Sequence, residues 1–195
     1  MEKMKLIAES GLEKDTDLYP NAQTVVFVDE KAYFNNPRCS HFCDSVNKIR
    51  VAMGNSGIPF DLCMTEDAER VIHKYKSAVF TAPMPSESGW KAVGICEKMN
   101  VPYIQPDTEK ASFTTDELRE FLVCNGVHCY NDDGNVVYCG GGYIGVHSIK
   151  DGNVKIVLPR KYKVRSLLGT DFDEWETDSV SFNMKKHDTV LFELI

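Results

Sequence analysis

The chain has 195 residues, with 22 Lys+Arg against 29 Asp+Glu and a formal charge of −7. Hydrophobic residues make up 43% and charged residues 26%, the composition of a folded chain of one or two domains. The acidic balance excludes a sequence-independent grip on phosphates, and no apolar run reaches the roughly 18 residues that cross a bilayer, so neither nucleic acid nor membrane is an expected partner.

Residues 1–20 read as an N-terminal helix or arm whose apolar residues are Met4, Leu6, Ile7 and Leu12. The apolar run before Glu9 is only Leu6-Ile7-Ala8, too short for the core of a signal peptide. Seven cysteines, odd in number and without framework spacing, fit free thiols in a reducing, cytoplasmic compartment.

Residues 21–125 alternate strand and helix. Thr24-Val25-Val26-Phe27-Val28 is apolar and β-branched, as in a strand buried on both faces. Phe42, Val46, Ile49 and Met53 then form one helical stripe. A second strand is expected over residues 58–63, followed by a helix with Thr65 as N-cap and Glu66, Asp67 and Glu69 in its first turn. Residues 77–81 read as a third strand. The helix after it carries Ala92, Val93, Cys96 and Met99 inward, with Trp90 packed beside them, and Ser86 and Ser88 lie at its cap. A short fourth strand spans 101–105. Thr114 and Glu117 then make a capping box, with Phe113 stapled on Leu118 and with Phe121 and Leu122 also inward. This order predicts a parallel sheet with helices on both faces.

Residues 126–195 change to a period of two. Strands at 127–130 and 136–139 would flank a turn at Asn131-Asp132-Asp133-Gly134, and strands at 143–149 and 154–158 a two-residue hairpin at Asp151-Gly152. Further strands are expected at 163–167, 179–182 and 189–194. The pattern predicts a small antiparallel β-sandwich of about 70 residues, marginal by itself.

Few residues point to chemistry. Gly140-Gly141-Gly142-Tyr143-Ile144-Gly145 has the spacing of a dinucleotide motif, but that motif works through the helix it opens, and here a β pattern follows; a tight turn or bulge is expected. Cys39, His41 and Cys43, or Cys124, His128 and Cys129, would need further ligands at suitable spacing to hold zinc. Gly94-Ile95-Cys96 falls inside a helix, and Gln105-Pro106-Asp107 offers no nucleophile where a strand-to-helix elbow could stand. Asp29-Glu30 ends the first strand, where α/β sheets bind ligands; capping or solvation is the ordinary role of such a pair and acid/base work the alternative. Tyr143 and Trp175 are candidates for stacking on a sugar. No catalytic, cofactor-binding or metal-ligating residue is assigned.

Residues 25–33, 57–62 and 75–80, followed by 118–122, 126–130, 136–138, 154–159 and 189–194, resemble the C-terminal region of β-galactosidase-like glycoside hydrolases related to family 42. In that family a flavodoxin-like, class I glutamine-amidotransferase-like domain, often called the trimerisation domain, follows the catalytic barrel, and a small β-domain comes after it. The resemblance implies a non-catalytic module that forms a homo-oligomer or docks on a glycoside hydrolase catalytic domain. The family's catalytic carboxylates lie in a (β/α)₈ barrel, which needs about 250 residues, so none is carried over. The amidotransferase Cys also has no counterpart after Ile104. A carbohydrate-binding module and a small thiol-dependent hydrolase are the alternatives.

Overall fold

The computed structural model describes residues 20–34, 39–170 and 174–195, and the side chains within these except those of residues 39–43. The expected N-terminal helix with Met4, Leu6, Ile7 and Leu12, and the side chains of Cys39, His41, Phe42 and Cys43, lie outside them. The chain divides into two units, one of Ala22–Ser56 with Phe60–His128, the other including Gly57–Pro59 and Cys129–Ile195. Among the described residues no helix is long and apolar enough to cross a membrane.

The first unit is an α/β layer structure. Its strands are β1 (Thr24–Val28), β2 (Phe60–Met64), β3 (Ser77–Phe80) and β4 (Tyr103–Ile104). They pair in parallel in the order β2-β1-β3-β4. Between them run α1 (Glu30–Phe34), α2 (Cys39–Gly54), α3 (Ala68–Val71) and α4 (Glu87–Lys98), with α5 (Thr115–Cys124) after β4. Val25 and Phe27 of β1 and Ala78 and Phe80 of β3 pack on Ala68, Val71, Ala92, Val93 and Cys96 of α3 and α4. The alternate residues Val26 and Val79 are equally buried, so both faces of the central strands are covered. Ile49 and Met53 of α2 and Leu118 and Leu122 of α5 are fully buried, as their helical spacing predicts.

Two local expectations are corrected. Thr65 caps no helix: it begins a 3₁₀ turn, Thr65–Asp67, whose cap is Met64 without a side-chain bond. Its hydroxyl is drawn instead to Glu66 and Ser88. Trp90 does not pack beside the α4 stripe; it is 58% exposed, and Met99 is exposed too. Gly89, Ala92, Val93 and Cys96 define the buried face of α4, and Trp90 stands two residues, about 200° of helical turn, from Ala92.

The capping box of α5 is present. Thr114 Oγ1 accepts from the Glu117 N–H at 3.2 Å, and the Glu117 carboxylate accepts from the Thr114 N–H at 2.9 Å. Lys110 Nζ donates to Glu117 at 2.5 Å and is the main reason that its carboxyl is held down to about 2. A carboxyl with a lowered folded pKa stabilises above its unfolded value and loses that contribution as pH falls through the folded one. The stability difference between the wild type and Glu117→Gln, read by urea unfolding, is therefore expected to be constant above about pH 4.5 and to shrink toward pH 2. A pH-independent difference contradicts this.

The second unit is one antiparallel sheet, not the expected two-sheet sandwich. Its strands are β5 (Val136–Gly140), β6 (Tyr143–His147), β7 (Gly152–Leu168), β8 (Trp175–Met184) and β9 (Thr189–Leu194), in the order β5-β6-β9-β7-β8. β7 has 17 residues and pairs with β8 along its first part and β9 along its last, its register shifting between Val157 and Tyr162 and again near Ser166. Such irregularities bend a strand, and all five strands bury their alternate residues in one cluster, among them Val137, Ile144, Ile156, Phe182 and Phe192.

Both hairpins expected here are also corrected. Residues 127–130 form no strand: Tyr130 donates its N–H to Gly57 and accepts from Val157. Asp151-Gly152 does not join a hairpin, because β9 lies between β6 and β7. The two-residue hairpin turn lies instead in β5–β6, closed by Gly141 and Gly142 with φ of 57° and 82°. Two successive positive φ values are what a two-residue primed turn needs, so the glycines of the nucleotide-like motif make a turn.

Candidate functional site

In open α/β sheets ligands gather at the carboxyl edge, where connections leave to opposite sides. The order β2-β1-β3-β4 places that point between β1 and β3. Asp29, directly after β1, and Ser86, in the loop after β3, meet there. Asp29 is 4% exposed. Its Oδ1 accepts the Ala32 N–H at 2.9 Å and the Ser86 hydroxyl at 2.7 Å, and its Oδ2 accepts the Ser86 N–H at 2.8 Å. One carboxylate thus holds the first turn of α1 and the loop that starts α4. Glu30 is exposed, whereas Asp29 is buried, so the adjacent acids do not act as a pair.

Ser86 is the N-cap of α4, accepting the Gly89 N–H at 3.4 Å. Gly89 is required by closeness: a Cβ there would stand 2.2 Å from Asp29 Oδ2 and 2.7 Å from Pro85 Cβ. From Ser86 the network runs outward. The Ser86 and Ser88 hydroxyls are 2.9 Å apart, Ser88 donates to Glu66 at 3.2 Å, and Lys31 Nζ lies 3.1 Å from the same oxygen. Burial works to raise the Glu66 carboxyl, but its own backbone N–H, Lys31, Ser88 and Thr65 together hold it below the usual carboxylate range. Lys31, Thr65, Glu66 and Ser88 line an open cleft of about 510 Å³ together with Glu69, Glu87, Lys91 and Ile95.

This arrangement braces three loops. Asp29 spends both oxygens on donors of α1 and the α4 cap, and the Ser86 hydroxyl is shared among Asp29, Ser88 and Gly89. A serine nucleophile needs a base free to take its proton and return it to a leaving group. A carboxylate committed to two backbone N–H groups is poorly suited to that. Sequence reasoning located Asp29 and Ser86 but not their contact, which spans 57 residues and depends on sheet order.

The other candidates are dispersed. Cys96 is fully buried within α4, and burial pushes its thiol up to about 11. Cys63 is raised first by burial and then by Asp61 and Asp67. Neither thiol is primed as a thiolate. Asp107 accepts the N–H groups of Glu109 and Lys110 in a local turn. Cys124 is exposed at the end of α5, His128 donates its N–H to Gln23, and Cys129 donates to the Asn131 carbonyl. Among the described residues no group of three or more His, Cys, Asp or Glu side chains could hold a metal ion. Trp175 is 39% exposed, less than Trp90. Tyr138, not singled out from the sequence, is 66% exposed. It pairs with Gly145, two residues from Tyr143, on the outward face of the β5–β6 hairpin. Strict alternation with the inward Val137 was the signal that could have found it.

No protein-family model matches the chain, and no curated protein matches it. Solved structures do. The chain is similar to a GH42 exo-carrageenase from Bacteroides ovatus, with a TM-score of 0.56 at 13% identity, over 89% of this chain and 29% of that one. It is similar also to a β-galactosidase from the Antarctic haloarchaeon Halorubrum lacusprofundi, with a TM-score of 0.57 at 10% identity, over 89% and 40%. A GH42 β-galactosidase matches with a TM-score of 0.55 at 10% identity, over 89% and 40%. At such identities the likeness is one of fold. The chain spans less than half the length of these enzymes.

Proposed function

We propose that the chain is a non-catalytic assembly module, equivalent to the flavodoxin-like, amidotransferase-type domain and small β-domain that follow the catalytic barrel in GH42 enzymes. The supporting observation is one of proportion: the match takes in 89% of this chain but 29–40% of enzymes that share its fold over that stretch. The parallel order β2-β1-β3-β4 agrees with the flavodoxin-like pattern. Its work is to hold copies of itself, or a glycoside hydrolase catalytic domain, in a fixed arrangement. Light scattering over a concentration series, alone and with a GH42 catalytic domain, tests this. Self-association or a complex is the expected result; a monomer that binds no such domain overturns the reading, as does turnover of a galactoside by the chain alone.

A second reading, carbohydrate binding, is favoured by the outward face of the β-sheet. Tyr138 and Tyr143 lie diagonally across the hairpin, and Tyr143 pairs with Glu193, which is held by Arg165. Aromatic faces near the half-exposed Arg165 guanidinium suit a sugar ring with its hydroxyls. Calorimetric titration with galactosides separates the two readings: heat that vanishes in Tyr138→Ala favours binding, and no heat leaves assembly.

A further inference from the structure

The connections that leave the carboxyl ends of β1, β2 and β3 border the cleft of about 510 Å³ in the first unit. Lys31 stands on α1 after β1, Thr65 and Glu66 follow β2, and Ser88, Lys91 and Ile95 lie on α4 after β3. Small-molecule sites hold about 300–1,000 Å³, and open α/β sheets take their ligands at this edge. The cleft has a fixed floor and a loose rim. On the floor the Glu66 carboxylate accepts from Lys31 at 3.1 Å, from Ser88 at 3.2 Å and from Thr65 at 3.2 Å. On the rim Lys91 and Glu69 approach only to 3.9 Å, with side chains 73% and 79% exposed. A contact that open adds little to the fold. The brace built on Asp29 and Ser86 accounts for the floor but not for the rim charges or the space they surround.

We propose that this cleft binds a neutral sugar of one or two rings through its hydroxyls. The class follows from what the lining can satisfy. A sugar hydroxyl both donates and accepts, and the cleft offers both functions side by side. The carboxylates of Glu66, Glu69 and Glu87 accept, the ammonium groups of Lys31 and Lys91 donate, and the Ser88 hydroxyl does either. Lys31 has three N–H donors and directs one of them at Glu66, so it can serve a ligand without leaving its partner. An anion would face three carboxylates and a cation two ammonium groups, each at the cost of a like charge. An apolar ligand would strip water from these groups and return no hydrogen bond. Half-buried Ile95 and the methylene stems of the two lysines supply an apolar strip for the C–H face of a ring. The site lies in the first unit, apart from the sheet face that carries Tyr138 and Tyr143. Sugar binding here is independent of whether copies of the chain associate.

Amide-resolved NMR of the full chain, titrated with lactose, locates the binding. Saturable shifts are expected at the backbone amides of Lys31, Glu66, Ser88 and Lys91, and none at those of Tyr138 and Tyr143. Glu66→Gln and Lys91→Ala should each weaken the dissociation constant about tenfold, the effect of losing one hydrogen bond to a charged group. Lys91 sits on the exposed rim, so its replacement should leave the circular dichroism spectrum unchanged. Tyr138→Ala should leave the dissociation constant as it is, which separates the cleft from the sheet face. Sodium sulfate, tetramethylammonium and glycine stand for an anion, a cation and a zwitterion. Absence of saturable shifts with lactose at the cleft amides overturns the site, as does lactose binding that neither cleft variant weakens. Saturation by any of the three ions below the concentration at which lactose saturates overturns the sugar class. A monomeric chain that binds lactose but no GH42 catalytic domain overturns the assembly reading and leaves the cleft; an associating chain without lactose shifts does the reverse.

Discussion

Asp29→Ala is expected to lower the unfolding free energy by about 3–5 kcal/mol, the largest effect of any polar substitution in the first unit. The side chain contributes three hydrogen bonds at 2.7–2.9 Å from a site 4% exposed. Bonds to a charged acceptor are worth about 1.5–3 kcal/mol each, and two of the donors left behind are backbone N–H groups. Relief of carboxylate desolvation offsets part of the loss. Asn is a poor substitute: all three partners are donors, so its amide NH₂ would face the N–H of Ser86 or of Ala32. Asp29→Asn should recover less than half the loss, read as the urea midpoint at constant slope. Gly89→Ala gives an independent check through a double-mutant cycle. Its Cβ would stand 2.2 Å from Asp29 Oδ2 and 2.7 Å from Pro85 Cβ, so removing the carboxylate should relieve the first part of its cost and leave the second. Additive single effects, or an Asp29→Ala loss below about 0.5 kcal/mol, would show that the brace is slack.

The second large effect belongs to the β unit. Arg165→Ala is expected to cost about 2–3 kcal/mol, because it leaves Glu193 buried without its cation. Glu193 has a side-chain exposure of 4%, and Arg165 donates to it from both Nε and Nη2. The guanidinium is itself 46% exposed, which sets the figure below that of a fully buried pair. The two residues are register partners across β7 and β9. Replacing both, as Arg165→Leu with Glu193→Leu, removes the buried carboxylate together with its cation and should restore most of the stability. A double variant as unstable as Arg165→Ala would place the cost in backbone register instead.

How far the sequence led depends on how local each signal was. β1 and β9 were legible to the residue, since each is a short, mostly apolar run that begins directly after a polar residue, Gln23 or Asp188. The Thr114–Glu117 capping box was legible because both partners lie within one turn of helix. The turn chemistry at Asn131 misled. Its side chain does order a turn, accepting the N–H groups of Asp133 and Asn135, but it also donates to the Lys155 carbonyl and so anchors a loop rather than a hairpin. Asp151-Gly152 misled for a related reason. A turn signal says that the chain reverses, not which strand waits beside it, and here β9 fills the place. At the candidate site the residue types at Asp29 and Ser86 could be suspected of capping, whereas their mutual bond needed the adjacency of β1 and β3. The exposure of Leu62 and Met64 was hidden altogether, because apolar residues in a strand read as core until the sheet order makes that strand an edge.

The position of β9 carries a consequence for biosynthesis. It is the last of the five strands to be made, yet it sits between β6 and β7 and bonds to both. While the polypeptide emerges from the ribosome, β5–β6 and β7–β8 can each zip up as separate ribbons, but neither can join the other until Leu194 clears the exit tunnel. Ribosome stalling before that point leaves two half-sheets with naked inner flanks, the species on which chaperones would be expected to act.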